Sequence, residues 1–264
     1  MKEDILAPTD CDILIQKLPS DMGIHRNDRK GTLKAPEKIL ESLKFDQDVL
    51  IDEVFSDEFD LEETQQRIEK NTQDLARHGK PILSVGGDHS VSYPVIKGLK
   101  EKYPDLKLVW LDSHLDLKRK VNGHVSHDVV VRQLLEERFS DDEIVFVGCK
   151  RIDSDEEEFL EDHDLRVFGP DELEDFLREF SWSEHPVYLS VDIDVLKKEL
   201  APGTGYPDGG LSLSDAKGVI EAVELDHADL VEVAPPLDED GKTVDAAESL
   251  IEFMTQRLNL STSL

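Results

Sequence analysis

Three short clusters of carboxylate and imidazole side chains each follow directly on an apolar run. Pro81-Ile82-Leu83-Ser84-Val85 leads into Gly86-Gly87-Asp88-His89-Ser90, Leu108-Val109-Trp110-Leu111 into Asp112-Ser113-His114-Leu115-Asp116, and Val187-Tyr188-Leu189-Ser190-Val191 into Asp192-Ile193-Asp194. Asp112, His114 and Asp116 are spaced two apart, as are Asp192 and Asp194, so a backbone that stays extended past the apolar run projects each set to one side. With His89, that brings four carboxylates and two imidazoles within reach of one another. An uncompensated buried ion costs several kcal/mol, and protons or bound cations are the usual remedy. Two divalent cations balance four carboxylates. With no thiolate in the set and oxygen ligands outnumbering nitrogen, manganese(II) fits first, with cobalt, iron or zinc as substitutes. A pair of ions about 3.5 to 4 Å apart holds a bridging hydroxide, because metal binding lowers the pKa of water to about 7. Taken singly, the Gly-Gly-Asp-His cluster reads as a turn with a capping Asp and the Asp-Ile-Asp cluster as a strand end. Their conjunction points to metal.

Elements that could hold these clusters run through the whole chain. Short apolar runs near residues 11–16, 48–54, 81–85, 106–111, 143–148, 164–168, 186–191 and 228–233 alternate with amphipathic stretches. That is the pattern of parallel strands buried on both faces and joined by crossover helices. Leu61, Ile68 and Leu75 share a helical face that Gly79 could cap, and Val91, Val95, Ile96 and Leu99 form another. Ser214 and Asp215 look like a helix start, and Ala247, Leu250, Ile251, Met254 and Leu258 line the last helix. No repeat, linker or low-complexity tract divides the 264 residues, so residues 1–264 are expected to form one α/β catalytic domain. In such a sheet the three clusters fall at carboxyl ends of strands, where ligands bind.

At these motifs the chain resembles the ureohydrolases, the arginase and agmatinase family of binuclear manganese enzymes. Ala201-Pro202-Gly203-Thr204-Gly205-Tyr206-Pro207 with Gly209-Gly210-Leu211-Ser212 is similar to the loop after the family's third motif. Glu232-Val233-Ala234-Pro235 resembles its Glu-Val-x-Pro strand end, and Gly31 to Ile39 fits more loosely. The resemblance implies a three-layer α/β/α fold around an eight-stranded parallel sheet, and two Mn2+ per chain. His89, Asp112, Asp116 and Asp192 would hold one ion, and Asp112, His114, Asp192 and Asp194 the other, with Asp112 and Asp192 bridging. Family members are commonly trimers or hexamers, so a homo-oligomer is expected.

Charge favours a cationic substrate independently of the family. Four carboxylates cancel two divalent ions, while a bridging hydroxide and Glu232 each add negative charge. A guanidinium suits that field, and its planar N–H fork can engage Glu232 in two parallel hydrogen bonds. His127, in Ser126-His127-Asp128, matches the family's loop histidine and could protonate the leaving nitrogen. His124 is its nearest rival, and Asp128 stands where the family usually has a small residue. The default reading is hydrolysis of agmatine to putrescine and urea. Lys118-Arg119-Lys120, in the loop that would face the substrate tail, raises the alternatives: Lys118 and Arg119 suit a carboxylate, as in a formimidoylglutamase or guanidino-acid hydrolase. The Ser- and Asn-rich segment of arginases is absent, which places arginase lower. A binuclear metallophosphoesterase and a non-catalytic metal-binding regulatory relative remain as readings from other classes.

Bulk composition narrows the setting. The 60 acidic residues against 30 basic ones give a formal charge of −30, which disfavours nucleic acid and anionic membranes as partners. The start, Met1-Lys2-Glu3-Asp4, lacks a secretory apolar core, and no run is long enough to span a membrane, so a cytoplasmic protein is expected. Cys11 and Cys149 are too isolated for a disulfide framework or a thiolate metal site. The acidic bursts read as solvated faces of folded elements in a halophilic protein, whose self-repulsion salt would screen. Its melting temperature should therefore climb between low and multimolar potassium chloride; a fall would reject that reading.

Overall fold

The computed structural model describes residues 7–25, 28–182 and 184–258; Met1 to Asp4 lie outside them. Eight strands, β1 (Ile13–Leu18), β2 (Val49–Glu53), β3 (Ile82–Gly86), β4 (Lys107–Leu111), β5 (Ile144–Val147), β6 (Arg166–Phe168), β7 (Val187–Asp192) and β8 (His227–Val231), build one sheet. Every pairing is parallel, and the order is β2-β1-β3-β8-β7-β4-β5-β6. All eight expected strands are present, with ends displaced by at most two residues. They read as unbroken apolar runs because both faces are covered. In β4, Leu108 and Trp110 join one core while Val109 and Leu111 join the other.

Eight helices form the two outer layers: α1 (Ala35–Leu40), α2 (Leu61–Ala76), α3 (Ser92–Lys102), α4 (Val130–Glu137), α5 (Ser154–Leu160), α6 (Leu173–Glu179), α7 (Leu213–Ala222) and α8 (Lys242–Thr255). Ile39 of α1, Phe176 of α6, Ile220 of α7 and Leu250 of α8 pack on one face of the sheet. Ile68 of α2, Ile96 and Leu99 of α3 and Leu134 of α4 pack on the other. The result is the expected three-layer α/β/α arrangement. Local signals act where they were read: Gly79 adopts φ 67 just after α2, and its N–H donates to Ala76 O. Boundaries are corrected at three places. Val91 lies in a 3-10 turn just before α3, and Leu258 lies beyond the end of α8. Helix α7 starts at Leu213, capped by Ser212, and Asp215 sits at the third helical position, where its carboxylate accepts the Ser212 N–H and completes a capping box.

Strands β3, β8, β7 and β4 are consecutive at the centre of the sheet. Three of them end in the ligand clusters and β8 runs into Glu232, so distant segments open side by side on one rim. Close backbone approach fixes the first of these turns. The Gly87 N–H donates to Leu18 O and the Asp88 N–H to Ser20 O, each at 2.9 Å. A Cβ on Gly87 would lie 1.8 Å from Ser20 O, whereas one on Gly123, at φ +84, would meet nothing within 4 Å. Gly87→Ala should cost about 3 kcal/mol by overpacking and backbone shift, and Gly123→Ala about 1 kcal/mol from its left-handed backbone alone. Urea unfolding of both variants checks this, and equal losses would contradict it.

Candidate active site

The six expected ligands converge. His89 Nδ1 lies 3.2 Å from Asp112 Oδ2, 3.2 Å from Asp116 Oδ2 and 3.3 Å from Asp192 Oδ2. His114 Nδ1 lies 3.1 Å from Asp194 Oδ2 and 3.4 Å from Asp112 Oδ1. Asp112 thus turns one oxygen to each imidazole, the placement required of a bridging ligand. Two groups, His89 with Asp112 and Asp192, and Asp112 with His114 and Asp194, are each compact enough to hold one ion. Asp192 falls only in the first; its Oδ1 accepts the Asp194 N–H at 2.7 Å.

Extended backbone, the geometry expected from the spacing, is not how the convergence is achieved. After each strand the chain turns at once. Asp112 accepts the His114 N–H at 2.7 Å, Ile193–Val195 forms a 3-10 turn, and Asp116 takes a left-handed φ of 53. Asp side chains bonding the backbone two residues on are what favour such turns over a continued strand.

Electrostatics say what the site requires. Burial, and then repulsion from Asp112, holds Asp116 well above the usual carboxylate range; burial, and then Asp194 and Asp112, do the same for Asp192. Burial also raises Asp194, against the pull of His114. Burial resists charge on His89 and His114, yet the surrounding aspartates hold both imidazoles well above their ordinary value. Burial pushes Asp112 up too, but the two imidazoles win and hold it low. The protein alone therefore satisfies the cluster only by taking up protons. His89 Nδ1, Asp112 Oδ2 and Asp116 Oδ2 are buried without a hydrogen-bond partner among the described residues. Orphaned acceptors facing one another at ion-pair distance, all nitrogen or oxygen, fit a pair of hard or borderline divalent cations.

Further side chains orient the ligands. The ring of His89 stacks on Trp110, with centroids 4.1 Å apart, and its Nε2 lies 2.9 Å from Ser190 Oγ. Ser190 donates to Asp229 Oδ1 at 2.7 Å, so its oxygen is free to accept the His89 N–H, and Tyr188 donates to Asp229 Oδ2 at 2.6 Å. This buried chain leaves Nδ1 as the nitrogen available to metal. None of it was read from the sequence, although Ser190 and Tyr188 alternate along β7 on the same face as Asp192.

The remaining candidates flank the ligands. Glu232, with φ 65, accepts the His89 N–H at 2.8 Å on Oε1; burial pushes its carboxyl up to about 7, with His127 pulling down and Asp88 pushing up. A small cleft of about 30 Å³ is lined by His114, Asp116, Lys118, His127, Asp128, Arg151, Glu156 and Tyr206. A larger hollow of about 530 Å³ beside α1 contains none of the six ligands, so the chemistry and not the volume selects the smaller cleft. His127, not His124, reaches it; His124 stacks instead on His25. Lys118 also lines it, with Nζ 2.6 Å from Asp153 Oδ2. Arg119 does not: on an exposed loop it pairs with Glu158 of α5 at 2.9 Å, and Arg151 stands in the cleft wall instead. Asp128, the departure from the family pattern, accepts the Ser126 hydroxyl at 2.7 Å.

Asp88 acquires a role that the motif alone did not reveal. Its carboxylate accepts the N–H groups of Gly23 at 3.1 Å and Ser90 at 3.0 Å. The carbonyl of Gly23 in turn receives both the backbone N–H of His127 at 3.1 Å and its Nδ1 at 2.8 Å. Because a carbonyl only accepts, Nδ1 must carry the proton, and Nε2 is left for chemistry.

Comparison with known proteins follows this geometry. The arginase family model matches residues 11–255. The chain is 33% identical to an agmatinase of Bacillus subtilis over 196 residues, covering 71% of this chain and 67% of the relative. It is 33% identical to a guanidinobutyrase of Pseudomonas aeruginosa over 208 residues, covering 73% and 65%. Its fold is that of a Trypanosoma cruzi formiminoglutamase solved with manganese (TM-score 0.85, 21% identity, 95% of this chain and 94% of that one) and of a Bacillus subtilis arginase (TM-score 0.81, 23%, 96% and 99%).

Removing the partner of His89 Nε2 tests the orienting chain. Ser190→Ala should weaken manganese binding by roughly 10- to 100-fold in calorimetric titration while the fold persists; unchanged affinity would exclude Ser190 from holding the ligand.

Proposed function

Since the chain belongs to the arginase family, we propose that it is a binuclear manganese amidinohydrolase, cleaving a guanidino C–N bond to release urea and an amine, with residues 1–264 as one catalytic unit. The observation that carries this reading is Asp112 set between two imidazoles, each with further aspartates at ion-pair distance. His89, Asp112, Asp116 and Asp192 are the proposed ligands of one ion, and Asp112, His114, Asp192 and Asp194 those of the other. When bound, the two ions compensate the carboxylates and make a water molecule nucleophilic near neutral pH.

The chain's own groups do the rest. Glu232 binds the guanidinium through its carboxylate, which a cation beside it would keep ionised despite burial. That contact orients the planar head with its carbon toward the ions. As the C–N bond breaks, the departing nitrogen needs a proton. With Nδ1 committed to Gly23, any second proton on His127 sits on Nε2, the nitrogen that can deliver it. Gly23 and Asp88 act as positioning residues for this step.

Likeness to agmatinases makes agmatine the first substrate to assay, with guanidinobutyrate, formimidoylglutamate and arginine beside it. Urea release from one of the guanidines, or formamide release from formimidoylglutamate, is expected with manganese restored and is expected to cease on chelation. His127→Ala should lower turnover by roughly 10²- to 10⁴-fold with manganese content intact. Stoichiometric metal with no product from any of the four would favour the regulatory reading, and turnover of a generic phosphate ester alone would favour a phosphoesterase.

A further inference from the structure

The far wall of the cleft carries two cations that the reaction itself does not use. Lys118 and Arg151 bracket a single carboxylate: Lys118 Nζ lies 2.6 Å from Asp153 Oδ2 and Arg151 Nε 3.0 Å from Asp153 Oδ1. Asp128 and Glu156 also attract Lys118, and Asp208 attracts Arg151, so both cations are held among carboxylates. Both are fixed to the catalytic loops through their backbones. The Lys118 N–H donates to Asp128 O at 3.0 Å, beside His127, and the Arg151 N–H to Ser113 O at 3.2 Å, between two metal ligands.

The other carboxylates here are already engaged. Glu156 accepts the Leu117 N–H at 3.1 Å and the Asp153 N–H at 2.9 Å, one on each oxygen. Asp128 takes the Ser126 hydroxyl at 2.7 Å, and Asp116 faces His89. On Arg151, by contrast, only Nε has a hydrogen-bond partner among the described residues, while Asp208 attracts it at longer range. Its Nη1 and Nη2 present the outward edge of a guanidinium, the edge that binds a carboxylate through two parallel hydrogen bonds.

We propose that Lys118 and Arg151 form a subsite for an anionic tail, so that the substrate is a guanidino acid, with a guanidinium at the metal end and a carboxylate at the other. Asp153 holds both cations in place before substrate arrives. This rests on the amidinohydrolase reading and refines it: an ammonium tail, as in agmatine, finds no acceptor on the open Arg151 fork, whereas a carboxylate takes two parallel hydrogen bonds from it.

Steady-state kinetics on the manganese-loaded protein with 4-guanidinobutyrate and agmatine decide the matter. The expected result is a higher kcat/KM for 4-guanidinobutyrate, carried by KM. Arg151→Glu and Lys118→Met should each lower its preference over agmatine by roughly tenfold or more. Arg151 is exposed, so its substitution disturbs no core packing even if the Lys118 variant loses stability. Agmatine as the better substrate, or a preference unmoved by Arg151→Glu, overturns this subsite and leaves the hydrolase reading standing. Urea from neither compound overturns this subsite, and the hydrolase reading falls with it only if arginine and formimidoylglutamate also give no product.

Discussion

Four aspartates crowded into a buried site at one rim of the sheet are the constraint around which the structure is organised. Burial and mutual repulsion make the cluster intolerable as bare anions, and the protein alone answers with protons on carboxylates and imidazoles. Divalent cations answer it better, because they leave every ligand deprotonated and in place. With those carboxylates compensated, the charge of Glu232 remains, and it suits the guanidinium head of the proposed substrate.

Holding the cluster requires groups that touch neither ion nor substrate. Trp110 and Ser190 fix the His89 ring, with Asp229 behind Ser190 tied to Tyr188. The Gly23 carbonyl, secured by Asp88, sets which nitrogen of His127 is protonated. Such contacts are short and buried, so small displacements of a strand end reach the reactive atoms directly.

Much of this was legible in the amino-acid order, for identifiable reasons. Strands covered on both faces give uninterrupted apolar runs, and metal ligands placed at their ends give clusters such as Asp112-Ser113-His114-Leu115-Asp116. What escaped depends on the path of the backbone after the strands. Local Asp turns replaced the expected extended segments, turning Asp192 Oδ1 to the Asp194 N–H. Arg119 and Arg151 are equally cationic in sequence; only the tie between residues 150–151 and Ser113 brings Arg151 to the cleft. Gly23 acts through its main chain, which no side-chain motif records.

The strand order has a consequence for the birth of the molecule. The central position between β3 and β7 is filled by β8, the eighth strand in chain order among the described residues. Pairings between segments so far apart in the chain close late, because loop entropy is spent before they are rewarded. Until β8 is seated, β3 is paired with β1 and β7 with β4, but the two halves of the sheet lack the strand that joins them. The rim that carries the candidate ligands therefore takes its final shape only when a strand distant in the chain has closed the sheet.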